Sequence, residues 1–141
     1  MSTPYHSNLE LILVDWIGAQ RDRDLDQLAR LLDEQVEQRW IDGEVYCANR
    51  QQLLAWARER LENRPTEYEI DAVEVVGAGD RVVMSVRGPH LERVGDENVG
   101  GQLSEVFTIR DGRIVAIRQY LRRAEALRTA GIDNLETADW R

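Results

Sequence analysis

The sequence predicts an α+β fold in which helices pack on one face of an antiparallel sheet. Three observations lead there. Between Ser7 and Asn63, three segments carry apolar residues at helical spacing; from Glu67 onward, four segments alternate as strands do; and Gly-rich or Asp-Gly turns separate those strands, favouring hairpins over crossovers. A chain of 141 residues is long enough for one domain, spanning 1–141, that buries its own core. That core is expected over about residues 7–123, with 124–141 as a C-terminal tail.

Ser7 and Glu10 form a capping box, and Leu9, Ile12, Leu13 and Trp16 then recur along one stripe, which makes a first helix. Asp24 caps a second, whose stripe is Leu25, Leu28, Leu31 and Leu32. From Val36 the period changes. The stretch VEQRWIDGEVYC alternates loosely around an Asp42-Gly43 turn and holds the β-favouring Val36, Trp40, Val45 and Tyr46, so it reads as two short strands. Asn49 caps a third helix with Leu53, Ala57 and Leu61 inward, and Pro65 limits its extension beyond Asn63. Strands follow in EYEIDAVEVVGAG, DRVVMSVRGPHL, GQLSEVFTIR and GRIVAIRQYL, with ERVGDENVGG as a polar loop at the mouth of any pocket. The tail begins as a short helix stopped near Gly131 and then becomes acidic.

Charge narrows the partners. Against 26 acidic residues stand 18 basic ones, a net charge of -8, which opposes phosphate backbones and anionic lipid. Neither nucleic acid nor membrane is an expected partner. The single cysteine, Cys47, makes no internal disulfide and fits a reducing compartment as a half-buried thiol. The N-terminus lacks the basic region of a signal peptide, and its apolar run is broken by Asp15, so a cytoplasmic location is expected. Of two histidines, His6 lies in the N-terminal tail and His90 follows Pro89 near a strand end, exposed or structurally bonded. No metal constellation and no cofactor is expected.

The last hairpin sorts the candidate site. A two-residue Asp111-Gly112 turn would put Glu105 on a mixed face with Phe107, Ile109, Ile114, Ala116, Arg118 and Tyr120. A three-residue loop, with Gly112 left-handed, puts it with Phe107, Ile109, Val115, Ile117, Gln119 and Leu121, while Thr108, Arg118, Tyr120 and Arg122 face away. The second register separates apolar from charged side chains far better, and it is the one expected. Glu105 and Gln119 become the polar exceptions on an apolar inner face. A buried carboxylate needs a partner, water or a proton. Val83, Ser85 and Arg87 alternate onto one face of the preceding strand, which makes Arg87 the expected partner of Glu105. Such a pair is either purely structural or the polar centre of a cavity.

The stretch DWIGAQRDRDLDQLARLLDEQVEQRW resembles the start of the nuclear transport factor 2-like superfamily, in particular its SnoaL-like and ketosteroid-isomerase-like members. FTIRDGRIVAIRQYLRR resembles the family's closing hairpin, and NRQQLLAWARERL stands where its third helix belongs. The resemblance spans about Leu9 to Arg123. It implies a cystatin-like α+β roll: a strongly curved, cone-shaped antiparallel sheet with three helices from the N-terminal half on its concave face, a pocket for a lipophilic small molecule, and a homodimer through the outer sheet face.

By this resemblance Trp16 stands where ketosteroid isomerases carry the oxyanion-hole tyrosine, Trp40 where they carry the general-base aspartate, and Glu105 where they carry the protonated aspartic acid. Trp16 offers one indole donor, and Trp40 cannot remove a proton. The acid-Arg-acid trio of limonene-epoxide-hydrolase-like members corresponds to Leu103, Glu105 and Gln119, of which only the central acid is kept.

The expected site therefore has Glu105 as candidate acid or base with Arg87 and Gln119, in a pocket lined by Trp16, Trp40, Ser85, Phe107, Ile117 and Leu121. The same aromatics serve equally well to fill the cone with a packed core. Trp56 and Trp140 read as packing or surface residues, and Arg118, Tyr120 and Arg122 as a polar, partly aromatic dimer interface. A metal-free isomerase, cyclase or hydrolase is the expected function; a non-catalytic ligand-binding or dimerisation module with a vestigial site is the alternative.

Overall fold

The computed structural model describes residues 7–63, 72–88, 93–94, 97–98 and 102–132. Pro65, His6, His90, Trp140 and most of the expected polar loop lie outside the described residues. Helix α1 is continuous through Asn8–Glu10, the π-helical Leu11–Trp16, and Ile17–Asp22. There follow α2 (Leu25–Leu31), β1 (Leu32–Arg39), β2 (Val45–Cys47), α3 (Arg50–Asn63), β3 (Ala72–Ala78), β4 (Arg81–Arg87), β5 (Arg93–Val94), β6 (Glu97–Asn98), β7 (Gln102–Arg110), β8 (Arg113–Tyr120) and α4 (Arg123–Thr129).

Local chemistry explains most boundaries. Ser7 and Glu10 form the expected reciprocal cap, and the Asp24 side chain accepts from the Gln27 N–H at 3.1 Å. Asn49 does the same for Gln52 at 2.9 Å at the start of α3. The π-helical segment alters the expected stripe of α1. With i→i+5 bonding, Leu11 comes onto the same side as Ile12 and Trp16, and all three are buried, whereas Leu13 turns outward and is 45% exposed. Helix α2 stops at Leu31, and the chain enters β1 at once, earlier than the Val36 start expected.

Among the described residues one six-stranded sheet has the order β2-β1-β8-β7-β4-β3, and β5 and β6 form a separate pair. All its pairings are antiparallel except β1 with β8, two strands joined by no hairpin and thus free to run parallel. Register breaks in β1–β2, β1–β8 and β7–β8 mark bulges, which bend and twist a sheet.

The β7–β8 turn is of the two-residue kind rather than the expected three-residue loop. Arg110 pairs with Arg113, and Asp111 and Gly112 have φ of 54° and 77°, the left-handed pair that a type I′ turn requires. The expected register is restored two residues later. The pairing passes from Ile109–Ile114 to Thr108–Ala116, leaving Val115 as an extra residue, so that Phe107 meets Ile117 and Glu105 meets Gln119. Ile114 is therefore buried inside and Val115 is the bulged residue, reversing their expected roles.

Two apolar layers result. Helices α1, α2 and α3 cover the inner face, burying Ile12, Trp16, Leu28 and Leu53 against Val36, Val82, Phe107, Ile109, Ile114 and Ile117. On the outer face α4 buries Ala126 and Leu127 against Val83, Val106 and Tyr120. The expected tail helix is thus part of the packed structure, stopped at Gly131 with φ 83°. Its first residue, Arg123, is held by a fork-to-fork pair with Glu74 of β3, at 2.6 and 2.8 Å. No helix of the described residues is long and apolar enough to cross a membrane.

Arg123 is buried at 5% exposure, so removing the Glu74 carboxylate takes away a bidentate, charge-assisted pair from a desolvated guanidinium. Glu74→Gln is expected to cost about 3 kcal/mol in urea unfolding, whereas the double change Glu74→Leu with Arg123→Met recovers most of that loss, because an apolar pair replaces the ion pair as a unit.

Candidate functional site

The inner face carries a short polar row set in apolar surroundings. Across β4, β7 and β8 the row reads Met84, Glu105, Gln119. The next row reads Val82, Phe107, Ile117 and, on β1, Gln38. Val82, Phe107 and Ile117 are fully buried, and Trp16 from α1 meets Phe107 edge-on with ring centroids 5.3 Å apart. This lower row is a closed floor. Glu105 above it keeps partial exposure, while Gln119 is buried.

Glu105 is held by a relay of side chains. Gln119 donates from Nε2 to Glu105 Oε2 at 3.0 Å, and Tyr46 donates its hydroxyl to Gln119 Oε1 at 3.0 Å. Tyr46 reaches the inner face because of a bulge: Gln38 pairs with Cys47 and Arg39 with Val45, which leaves Tyr46 as the extra residue of β2. Its ring is gripped on two sides. Trp40 stands edge-on at 6.2 Å and Trp56 of α3 at 5.6 Å, and the Arg60 guanidinium lies 5.0 Å from the centre of the Trp56 ring. All three aromatic residues keep some exposure.

Burial pushes the Glu105 carboxyl from the ordinary 4.5 up to about 7. The Gln119 hydrogen bond and the positive charge of Arg60 pull the other way, and desolvation wins. Near neutrality the group thus exchanges readily between acid and base. The Cys47 thiol is also pushed up by burial, which makes it a poor nucleophile. Among the described residues no group of three or more His, Cys, Asp or Glu stands where it could hold a metal ion.

The structure brings Glu105, Gln119, Phe107, Ile117 and Trp40 to one side of the sheet, with Trp16 packed into the floor. Three expected members are elsewhere. Glu105 lies opposite Met84, so strand alternation sends Ser85 and Arg87 to the outer face: Ser85 is buried there with its hydroxyl 2.7 Å from that of Ser104, and Arg87 is exposed opposite Gln102. Arg87 is therefore not the partner of Glu105. Leu121 follows the end of β8 and is 38% exposed. On the outer face Tyr120 is buried beneath α4, with the Arg118 guanidinium 4.9 Å from its ring centre.

Sequence reasoning missed Tyr46, Trp56, Arg60 and Gln38. A bulge has no signal in a three-residue strand, which hid Tyr46. Trp56 lies one residue from the inward Ala57, and the helical period alone does not show that it leans toward β2. Gln38 shares parity with Val36 and is 2% exposed, and its Oε1 has no hydrogen-bond partner among the described residues.

A family model described as a SnoaL-like domain matches residues 13–117. No curated protein matches the sequence. Among solved structures, an uncharacterised cystatin-fold protein from Novosphingobium aromaticivorans superposes with a TM-score of 0.63 at 17% identity, covering 82% of this chain and 98% of that one. A proposed polyketide cyclase from Pseudomonas putida gives 0.61 at 19% identity, covering 82% and 92%. A proposed SnoaL-like polyketide cyclase from Jannaschia gives 0.58 at 20% identity, covering 96% and 98%. At such identities these likenesses speak for the fold.

The raised Glu105 value has a consequence for stability. A native carboxyl that keeps its proton up to about 7 binds more protons than its unfolded counterpart between 4.5 and 7, so stability falls as pH rises through that window and levels off above it. Glu105→Gln removes this contribution. Its thermal stability should match the wild type near pH 4 and exceed it at pH 8, by on the order of 3 kcal/mol.

Proposed function

Because the chain belongs to the SnoaL-like domain family, within the nuclear transport factor 2-like superfamily, we propose that it binds a lipophilic, ring-bearing small molecule beside the inner row and moves a proton on it with Glu105. The observation that carries this reading is one partly exposed carboxyl on an apolar face, titrating at about 7, with one oxygen engaged by Gln119. No described side chain hydrogen-bonds its other oxygen, Oε1, which is the atom that exchanges the proton. Trp40, Tyr46 and Trp56 supply an aromatic edge against which a flat ring system rests.

In this mechanism the ionised form of Glu105, which gains population as pH rises through about 7 and which the Gln119 N–H supports, is the active one. Oε1 takes a proton from an acidified C–H or O–H of the bound molecule and returns it at a second atom, which yields isomerisation or ring closure according to the ligand. Phe107, Ile117 and Trp16 keep water from below, so the transfer takes place in a weakly screening setting. The proposed polyketide cyclase activities of the two structural neighbours from Pseudomonas putida and Jannaschia support this class of chemistry.

A second reading, ligand binding without turnover, is favoured by Trp16 and Trp40, neither of which carries an acid or base. A cytoplasmic setting accompanies both readings, supported by the lone buried Cys47. A homodimer through the outer sheet face would have to use the area around Arg39 and Arg118 that α4 leaves uncovered.

A panel of enolisable polycyclic ketones, followed by absorbance and by Trp fluorescence, separates the readings. For an enzyme, Glu105→Gln lowers turnover by roughly 10²- to 10⁴-fold while ligand affinity stays within a few-fold, and wild-type kcat/KM rises with pH through about 7. Binding with no turnover in either form leaves only the binding module.

A further inference from the structure

We infer that Arg60 of α3 is the charge-receiving group of the site: its guanidinium takes the ligand oxygen on which negative charge gathers when Glu105 removes a proton. The inference rests on Glu105 as the proton carrier and deepens that reading, because it narrows the ligand to a ring ketone whose conjugate base is an enolate. In that step Glu105 Oε1 bonds the proton, the C–H electron pair becomes the C=C bond of the enolate, and the carbonyl π pair moves onto oxygen. Return of the proton at a second carbon reverses the flow, so no further reactant is required. The transfer itself needs Glu105 alone. What it leaves behind is a full negative charge beside an apolar floor, where water solvates it poorly.

The groups around the row leave few ways to hold that charge. Trp16, the counterpart by resemblance of an oxyanion-hole tyrosine, is packed into the floor against Phe107, and Met84 opposite Glu105 carries no charge. The Gln119 amide is already engaged by Glu105 and Tyr46. Arg60 is placed differently. It follows Trp56 by one helical turn, both half-buried on the flank of the inward stripe of Leu53, Ala57 and Leu61, and its guanidinium lies 5.0 Å from the centre of the Trp56 ring. That ring belongs to the aromatic edge against which the ligand rests, and through Tyr46 and Gln119 an unbroken run of contacts leads from it to Glu105. Glu105 is hydrogen-bonded by Gln119 rather than by Arg60, yet the Arg60 charge still pulls the carboxyl down against burial. A cation that the carboxyl feels without touching it is placed to meet a molecule lying between them. A guanidinium carries five N–H donors and no acceptor, so Arg60 can keep its other contacts and still donate to an oxygen. The net charge of -8 repels an anion from most of this surface, which makes a local cation the more necessary.

The test uses a phenolate as the stable stand-in for the enolate: a series of naphthols of graded acidity, whose neutral and anionic forms absorb at different wavelengths. They are bound to the full chain carrying Glu105→Gln, so that no carboxylate competes with the bound oxyanion. Adding Arg60→Gln should raise the titration midpoint of the bound naphthol by about one pH unit, a tenfold loss of preference for the anion, while affinity for the neutral form stays within a few-fold. Arg60→Lys should recover part of the shift, since it restores the charge without the planar fork. An unmoved midpoint overturns the inference, and so does an equal loss of both forms, which would make Arg60 mere packing for Trp56. On the enolisable ketones, Arg60→Gln alone should lower kcat by roughly 10²-fold with little change in KM. If Glu105→Gln abolishes turnover and Arg60→Gln leaves kcat unchanged, the proton carrier stands and the inference falls. If Arg60 sets the naphthol midpoint while Glu105→Gln turns over normally, the oxyanion site stands and the proton carrier is another group. Naphthols and ketones that bind to no form of the chain overturn both.

Discussion

The register between β7 and β8 governs which side chains meet the helices. A type I′ turn alone would run Ile114, Ala116, Arg118 and Tyr120 along the inner face with Glu105, setting a guanidinium into the apolar layer. One unpaired residue, Val115, prevents this. Beyond the bulge Ile117 and Gln119 turn inward and Arg118 and Tyr120 outward, and both apolar layers follow. The inner one gains Ile117 beside Phe107, and the outer one gains Tyr120 beneath α4. The same slip sets Gln119 directly across from Glu105. The candidate site and the two-sided packing thus share one backbone feature, at a place where bulges commonly re-aim functional side chains.

Glu105 opposes the stability that this packing provides. A carboxylate among apolar neighbours would be costly, and one amide hydrogen bond with a distant cation offsets only part of that cost, so the group stays protonated until near neutrality. An Arg directly alongside would have removed the cost and the reactivity together, because a close ion pair pulls a carboxyl below its ordinary range. A close Arg–Glu contact does occur on the outer face, between Arg123 and Glu74, where it fastens α4. The two carboxyls thus differ by their setting: Glu74 anchors a helix through Arg123, and Glu105 is held by the Gln119 amide with no Arg hydrogen-bonded to it among the described residues.

Much of this was legible in the sequence. Capping residues and most of the stripe spacing could be read because each depends on local periodicity; Glu105 and Gln119 do share the inner face as expected, but through a two-residue turn and the Val115 bulge rather than the expected three-residue loop. What escaped depends on single-residue irregularities. The misplacement of Arg87 shows the limit. Alternation correctly grouped it with Val83 and Ser85, but choosing the inner face for that group required the phase of β4 against β7, which is set by pairing across a long loop and not by either strand alone. Burial gives the reason for the actual phase: Val82, Met84 and Val86 are the fully apolar set and go inward. Tyr46 and Leu13 were hidden by a bulge and by a π-helical turn, each of which breaks the period that sequence reading relies on.

The aromatic floor and the Gln119 hydrogen bond also bear on how the proposed chemistry would run with one acid. With Trp16 packed on Phe107, the space below Glu105 is closed, and under the proposed function the ligand lies on the side bounded by Trp40, Tyr46 and Trp56. An indole at either of the two resembling positions cannot trade protons, but it can fix where a ring lies and exclude water. Proton transfer then needs only a correctly aimed oxygen with a matched affinity for the proton. Gln119 supplies the aim, burial supplies the affinity, and rings supply the placement, a division of labour in which only Glu105 changes charge near neutrality.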